Sequence, residues 1–154
     1  MNEIGLDSAK TKQLTDKLNV LLADYQLFYI NARGFHWNIA GEKFFELHAK
    51  FEELYNDAFM KIDEVAERIL TLGHTPQHNY SEYLQVSSIE EAIETKDGDK
   101  AVSAILAGFN TLLTLEREIH AMAGEAGDEG TGSLMSDYIR QQEKSVWMYS
   151  AYQR

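Results

Sequence analysis

The stretch from Phe44 to Leu72, FFELHAKFEELYNDAFMKIDEVAERILTL, decides the fold. It contains neither Gly nor Pro and places apolar residues at 47, 51, 54, 58, 62, 65, 69 and 72. Steps of three and four residues put one apolar stripe on one face, so the stretch is predicted to be a long amphipathic helix. At about 100° per residue, His48, Glu52, Asp63 and Glu67 fall at about 0°, 40°, 60° and 100°, together on the edge of that stripe. Along the axis, however, His48 and Asp63 lie about 22 Å apart at about 1.5 Å per residue, whereas metal–ligand bonds are only about 2 Å long. One chain cannot close the four around one metal. A second copy of the helix, antiparallel across a two-fold axis near Asp57 and Ala58, sets His48 and Glu52 opposite the partner's Asp63 and Glu67, twice over. The pattern predicts a metal site assembled by a dimer.

Composition narrows the class. The 154 residues suit one domain over 1–154, and 44% hydrophobic with 11% aromatic residues is enough for a packed core. One proline in the whole chain leaves room for long helices, so an all-α protein is expected. The absence of cysteine excludes disulfides, thiolate zinc sites and cysteine nucleophiles, and leaves nitrogen and oxygen ligands, which suit iron or manganese. The start, MNEIGLDSAK, has no basic patch followed by an apolar run, and Asn19, Asp24 and Gln26 interrupt the most apolar later stretch. A cytoplasmic protein with no membrane span is expected. A formal charge of −11 repels nucleic acid and anionic lipid and attracts cations.

Four long helices are predicted. The first runs from an N-cap at Asp7 or Ser8 to about Arg33, with Leu14, Leu18, Leu21, Tyr25, Phe28, Ala32 and Phe35 inward and Gly34 as a break. The second ends at Gly73, with Pro76 beyond it. The third covers about Asp99 to Ala123 with Val102, Ile105, Phe109, Leu112 and Ile119 inward. The fourth covers about Thr131 to Tyr152 with Met135, Ile139, Val146 and Tyr149 inward. Short Gly-bearing turns make hairpins of helices one and two and of helices three and four. Roughly 25 residues join helix two to helix three, far above the usual length, and Ser88-Ile89-Glu90-Glu91 within them reads as a capping box opening a short helix. Such a link reaches up to about 80 Å, twice the roughly 40 Å of helix two, so it can run the length of the bundle and leave helices two and three parallel. Four helices with one long crossover make a ferritin-like bundle.

Bundles of that kind hold two metals in their interior through a Glu-x-x-His motif on each of two helices and a Glu on each of the others. No Glu-x-x-His occurs here. A conventional interior site is disfavoured, and the interface site remains, weighed against the ordinary reading of paired carboxylates as a solvated face. His36 lies where helix one ends, and the turn can fold it back towards His48. Trp37 reads first as an anchoring core aromatic; beside a redox metal its indole also offers an electron. Glu116 and His120 sit among charges (LEREIH) and read as a solvated face, while His74 and His78 in the crossover receive no role. The acidic, Gly-rich segment 125–130 reads as a solvated loop, or as a cation entry with Asp128 and Glu129 where subunits meet.

The residues also carry a resemblance. Asn31-Ala32-Arg33-Gly34-Phe35-His36-Trp37-Asn38, then Gly41, Phe44-Phe45, Leu47-His48, Phe51-Glu52, Leu54-Tyr55, Ile62-Asp63-Glu64-Val65-Ala66-Glu67-Arg68-Ile69 and Leu72-Gly73 resemble the Dps family of mini-ferritins, as does Glu143-Lys144-Ser145-Val146-Trp147-Met148 near the end. The resemblance implies a homo-oligomeric shell of twelve subunits that oxidises ferrous iron, preferably with hydrogen peroxide, and stores ferric oxyhydroxide, a ferroxidase protecting against oxidative damage. It implies His36 and His48 from one subunit and Asp63 and Glu67 from its partner as iron ligands. Glu52 stands where the family often has Asp, a longer carboxylate that binds directly, through water, or not at all. DNA-coating members have a lysine-rich tail, whereas the first residues here offer only Lys10 and Lys12 and the last only Arg154, so DNA binding is not expected. The rival readings are a structural or DNA-compacting shell with a vestigial metal site, and a monomeric helical binding module.

Overall fold

In the computed structural model, which describes residues 1–93 and 96–154, the opening stretch forms one uninterrupted helix. Among the described residues there are five helices and no strand: α1 (Ser8–Asn38), α2 (Phe44–Thr71), α3 (Tyr80–Val86), α4 (Gly98–Ala126) and α5 (Glu129–Gln153). Of the expected stripe, Leu47, Phe51, Leu54, Ala58, Val65 and Ile69 on α2 and Leu72 at its cap are buried, and Ile62 is half-buried. This stripe packs on the α1 stripe, where all seven expected core positions from Leu14 to Phe35 are buried.

Hairpins α1–α2 and α4–α5 turn through glycines in the left-handed region, Gly41 (φ 102°) and Gly127 (φ 69°); Gly127 closes the end of α4 with its N–H on the Ala123 and Gly124 carbonyls. The start of α4 lies against the start of α2, since a Cβ on Gly98 would meet Leu47. The end of α4 meets the end of α2, because a Cβ on Gly130, just beyond α4, would meet the Arg68 guanidinium. Helices α2 and α4 are therefore parallel, and the link between them is the long crossover of a ferritin-like bundle.

Five expectations are corrected by tertiary context. First, α1 does not stop at Arg33. Gly34 keeps helical φ, nothing crowds it, and the helix continues to Asn38, so His36 is a helical residue, not part of a turn. Second, the short crossover helix is Tyr80–Val86, with Tyr83 buried against α1, and the capping-box signal at Ser88 is not helical. The buried Asp24 carboxylate accepts instead from the Ser87 hydroxyl (2.9 Å) and the Ser88 N–H (2.7 Å). The Asn31 amide then pins Glu90 and Ala92, so the segment is extended along α1. Third, Trp37 is no core anchor: it is 61% exposed, with the Arg33 guanidinium over its ring at 4.8 Å. Fourth, Asp128 is neither a solvated loop residue nor free to line a pore. It is buried, caps α5 through the Thr131 N–H, and pairs with Arg68 at 2.8 Å. Fifth, Glu116 lies in the core.

Glu116 is fully buried. The Tyr25 hydroxyl donates to its Oε2, and Gln142 Nε2 donates to the Tyr25 oxygen at 2.6 Å. Burial dominates and pushes the Glu116 carboxyl up to about 7, partly offset by the Tyr25 hydrogen bond and the charge of Lys61. On α5, Met135 is buried as expected, while Ile139, Val146 and Tyr149 are half-buried and Tyr138 and Gln142 take the deeper places.

Candidate metal centre

The extension of α1 brings His36 beside His48 across the α1–α2 turn. The two imidazoles stack with centroids 3.8 Å apart and planes at 13°. His36 Nδ1 lies 2.7 Å from the His48 carbonyl oxygen, and His48 Nδ1 lies 2.7 Å from that of His36. A carbonyl only accepts, so each Nδ1 carries the proton, and in the neutral ring each Nε2 is left with a free lone pair. Carbonyl-bound Nδ1 is how proteins fix the tautomer of metal-binding histidines.

Local structure explains the reciprocal bonds. The His36 carbonyl belongs to the last turn of α1, where four carbonyls lack helical partners, and the N–H that helical continuation would offer it, that of Ala40, bonds to Lys96 instead. The His48 ring fills that vacancy. His48 also stacks on Phe44 at 4.8 Å, and Tyr55 and His36 meet in a T-shaped pair at 5.3 Å. His36 is 8% exposed and His48 is half-buried, so the pair sits at the rim of the core, aligned by aromatic walls. The roles of Phe44 and Tyr55 escaped sequence reasoning, although Tyr55, seven residues after His48, lies on the same helical face.

Asp63 and Glu67 form the other half. Both are exposed on α2, one turn apart, and the neighbouring Asp63 carboxyl, through hydrogen bonding first and its charge second, raises the Glu67 carboxyl above its ordinary value. Two neighbouring carboxylates repel each other, and a cation held between them relieves that repulsion. Glu52 is exposed one turn beyond His48. Trp37 follows His36 directly and is exposed.

The chain thus brings His36 to His48 and Asp63 to Glu67, and leaves the two pairs apart. Among the described residues, no group of three or more His, Asp or Glu side chains is gathered closely enough to hold a metal. His74 and His78 are likewise outside any such group. No described helix is long and apolar enough to cross a membrane.

Residues 15–154 match the family model of the ferritin-like domain. A Haemophilus influenzae protein, itself uncharacterised, is 57% identical over 148 residues, 96% of this chain and 92% of that one. The DNA protection during starvation protein of Porphyromonas gingivalis is 45% identical over 148 residues, 96% of this chain and 93% of that protein. A solved Dps structure from Vibrio cholerae O1, described as a member of a broad superfamily of ferritin-like diiron-carboxylate proteins, superposes with a TM-score of 0.99 at 54% identity, covering 100% of this chain and 97% of that one. The chain belongs to the Dps family of ferritin-like proteins.

Proposed function

We propose that this protein is an iron-storing ferroxidase of the Dps kind, in which the histidine pair of one subunit and the carboxylate pair of a two-fold partner bind ferrous iron together. The observation that carries this reading is the pairing itself. His36 and His48 hold both Nδ1 atoms to carbonyls and leave both Nε2 atoms free, while Asp63 and Glu67 stand one turn apart on the exposed face of the helix that carries His48, about 22 Å away. Each half is too small to hold iron alone, and an antiparallel copy of α2 supplies the complement.

The donor set suits the reaction. Carboxylate oxygens favour ferric over ferrous iron, imidazole retains ferrous iron, and few protein ligands leave positions for an oxidant. Hydrogen peroxide accepts one electron from each of two ferrous ions and two protons, and leaves as two waters, so no hydroxyl radical is released. Glu52, one turn from His48, contributes a carboxylate directly or through water. Trp37, beside His36, supplies an electron where a radical does form. The assembled protein is read as a twelve-subunit shell holding ferric oxyhydroxide.

Co-assembly tests the shared geometry. His48→Ala and Asp63→Ala subunits, each inactive alone, are expected to recover part of the rapid iron oxidation when mixed in one shell, because some interfaces then keep one intact site. Demonstrably mixed shells with no recovery would falsify the shared site.

Protection of DNA on this reading is chemical, with no coat of protein on the duplex. A net charge of −11, with 25 Asp and Glu against 14 Lys and Arg, repels the duplex and opposes binding through counterion release. No shift of duplex DNA is expected in a mobility assay at about 150 mM salt, where long-range attraction is screened within about 8 Å. A clear shift under those conditions would favour a DNA-compacting shell instead.

A further inference from the structure

Helices α2 and α5 leave a cleft of about 550 Å3 between them, walled in part by Leu54, Phe109 and Tyr149 and reaching the polar residues Asp57, Gln141 and Gln142. Those three belong to a cluster around Lys61 that runs from the exposed Gln141 and half-buried Asp57 at the mouth to the buried Gln142 inside the bundle. The Lys61 residue is only 3% exposed; its Nζ reaches the Asp57 carboxylate and Gln141 Oε1 (2.5 Å), and lies 5.2 Å from the Tyr138 ring centroid. Its charge acts on the fully buried Glu116. Two oxygens in this cluster, Glu116 Oε1 and Gln142 Oε1, are buried with no hydrogen-bond partner. The orientation of Gln142, itself 2% exposed, follows from the chemistry. Tyr25 gives its one proton to Glu116, so Gln142 must donate to Tyr25 through Nε2, and Oε1 is left over.

Buried oxygens without donors are costly, and with Gln142 also lining the cleft they invite a cation. The interior of a ferritin-like bundle is where such folds place carboxylate-bound metals, and here α1, α2, α4 and α5 all bring polar groups to it, without any histidine. We propose that the Lys61 ammonium is a built-in counter-cation that keeps divalent metal out of the bundle, and that Asp57, Glu116 and Gln142 become a cation site when it is removed. A lysine is a compact point charge tied to the backbone, so it pairs with Asp57 and favours the charged form of Glu116 without being exchangeable. All the oxygens involved are hard donors, the class that takes ferrous, manganous or cobaltous ions. The consequence for iron, that oxidation is confined to the subunit interface, rests on the function proposed above; the exclusion of cations does not.

The test uses the full chain with His48→Ala and Asp63→Ala, which leaves each interface only one imidazole and one carboxylate of its two pairs, as the parent, and Co2+ as a redox-inert, coloured probe. Adding Lys61→Met is expected to create about one further cobalt site per chain, at least about 10-fold tighter than any in the parent, and adding Glu116→Gln is expected to abolish it. Lys61→Arg is expected to behave as the parent. If the Lys61→Met protein binds no more cobalt than the parent, or if Glu116→Gln leaves the new binding unchanged, the inference is wrong. Should Lys61→Met alone fail to fold, Co2+ during refolding or Glu116→Gln is expected to restore folding, and failure of both rescues overturns it equally. Iron oxidation by the unaltered chain bears on the interface site and is untouched by any of these outcomes.

Discussion

Replacing both His48 and Asp63 by Ala is expected to remove the fast phase of peroxide-driven iron oxidation, lowering its rate by more than about 100-fold, beyond the roughly 10–100-fold that loss of an outer-shell partner costs a metal site. Each interface would lose one ligand from each half, leaving a single imidazole and a single carboxylate. The shell is expected to stay assembled. Asp63 is exposed, and His48 contributes its bond to the His36 carbonyl and its stacking, an interaction of about 1–2 kcal/mol that the α1–α2 core survives. In the unaltered protein, peroxide is expected to outpace air with about two irons oxidised per peroxide, and radical trapping is expected to fall when protein is present. Stopped-flow ferric absorbance after anaerobic loading, with size exclusion as control, measures all of this. A fast phase surviving in the double variant would remove these residues from the site, and parity between air and peroxide would refute the oxidant.

The second large effect concerns stability and lies in the core. Glu116 is raised from 4.5 to about 7, so between those values the folded chain holds a proton that the unfolded chain has released. Stability from this group is complete below about 4.5 and is lost as pH rises through about 7. The difference amounts to up to about 3 kcal/mol, since one pKa unit corresponds to about 1.4 kcal/mol. Glu116→Gln keeps the hydrogen bond from Tyr25 and removes the titration. It is expected to flatten the dependence over that window and to be relatively more stable at pH 8 than at pH 5. Thermal or denaturant unfolding of both proteins at the two values checks it; equal slopes would mean that Glu116 is ionised in the folded state throughout.

The long helices were legible because helical periodicity is local. A stripe at three- and four-residue steps in 44–72 needs no knowledge of its partner, and the phases of His48, Glu52, Asp63 and Glu67 follow from the same arithmetic. So does the conclusion that one chain cannot join them. The crossover was legible from its length, but its helix was placed wrongly. Ser88 has the local signal of a cap, whereas the buried Asp24, 64 residues earlier, offers its N–H a charged acceptor that a new helix could not match.

What the sequence by itself determined is therefore the all-α bundle, its connectivity, and which residues share the exposed edge of α2. Only the tertiary structure decided that α1 runs on through Gly34 to carry His36, that the two histidines satisfy each other's carbonyls and so present Nε2, and that Glu116 is core and not surface. The reason lies in the range of the interactions. Glu116 is flanked by charges in sequence, yet its environment is made by Tyr25 across 91 positions on α1, and by Gln142, which bonds Tyr25 across 117. Burial of one carboxylate is set by what faces it, and nothing in a helical period says which faces will meet.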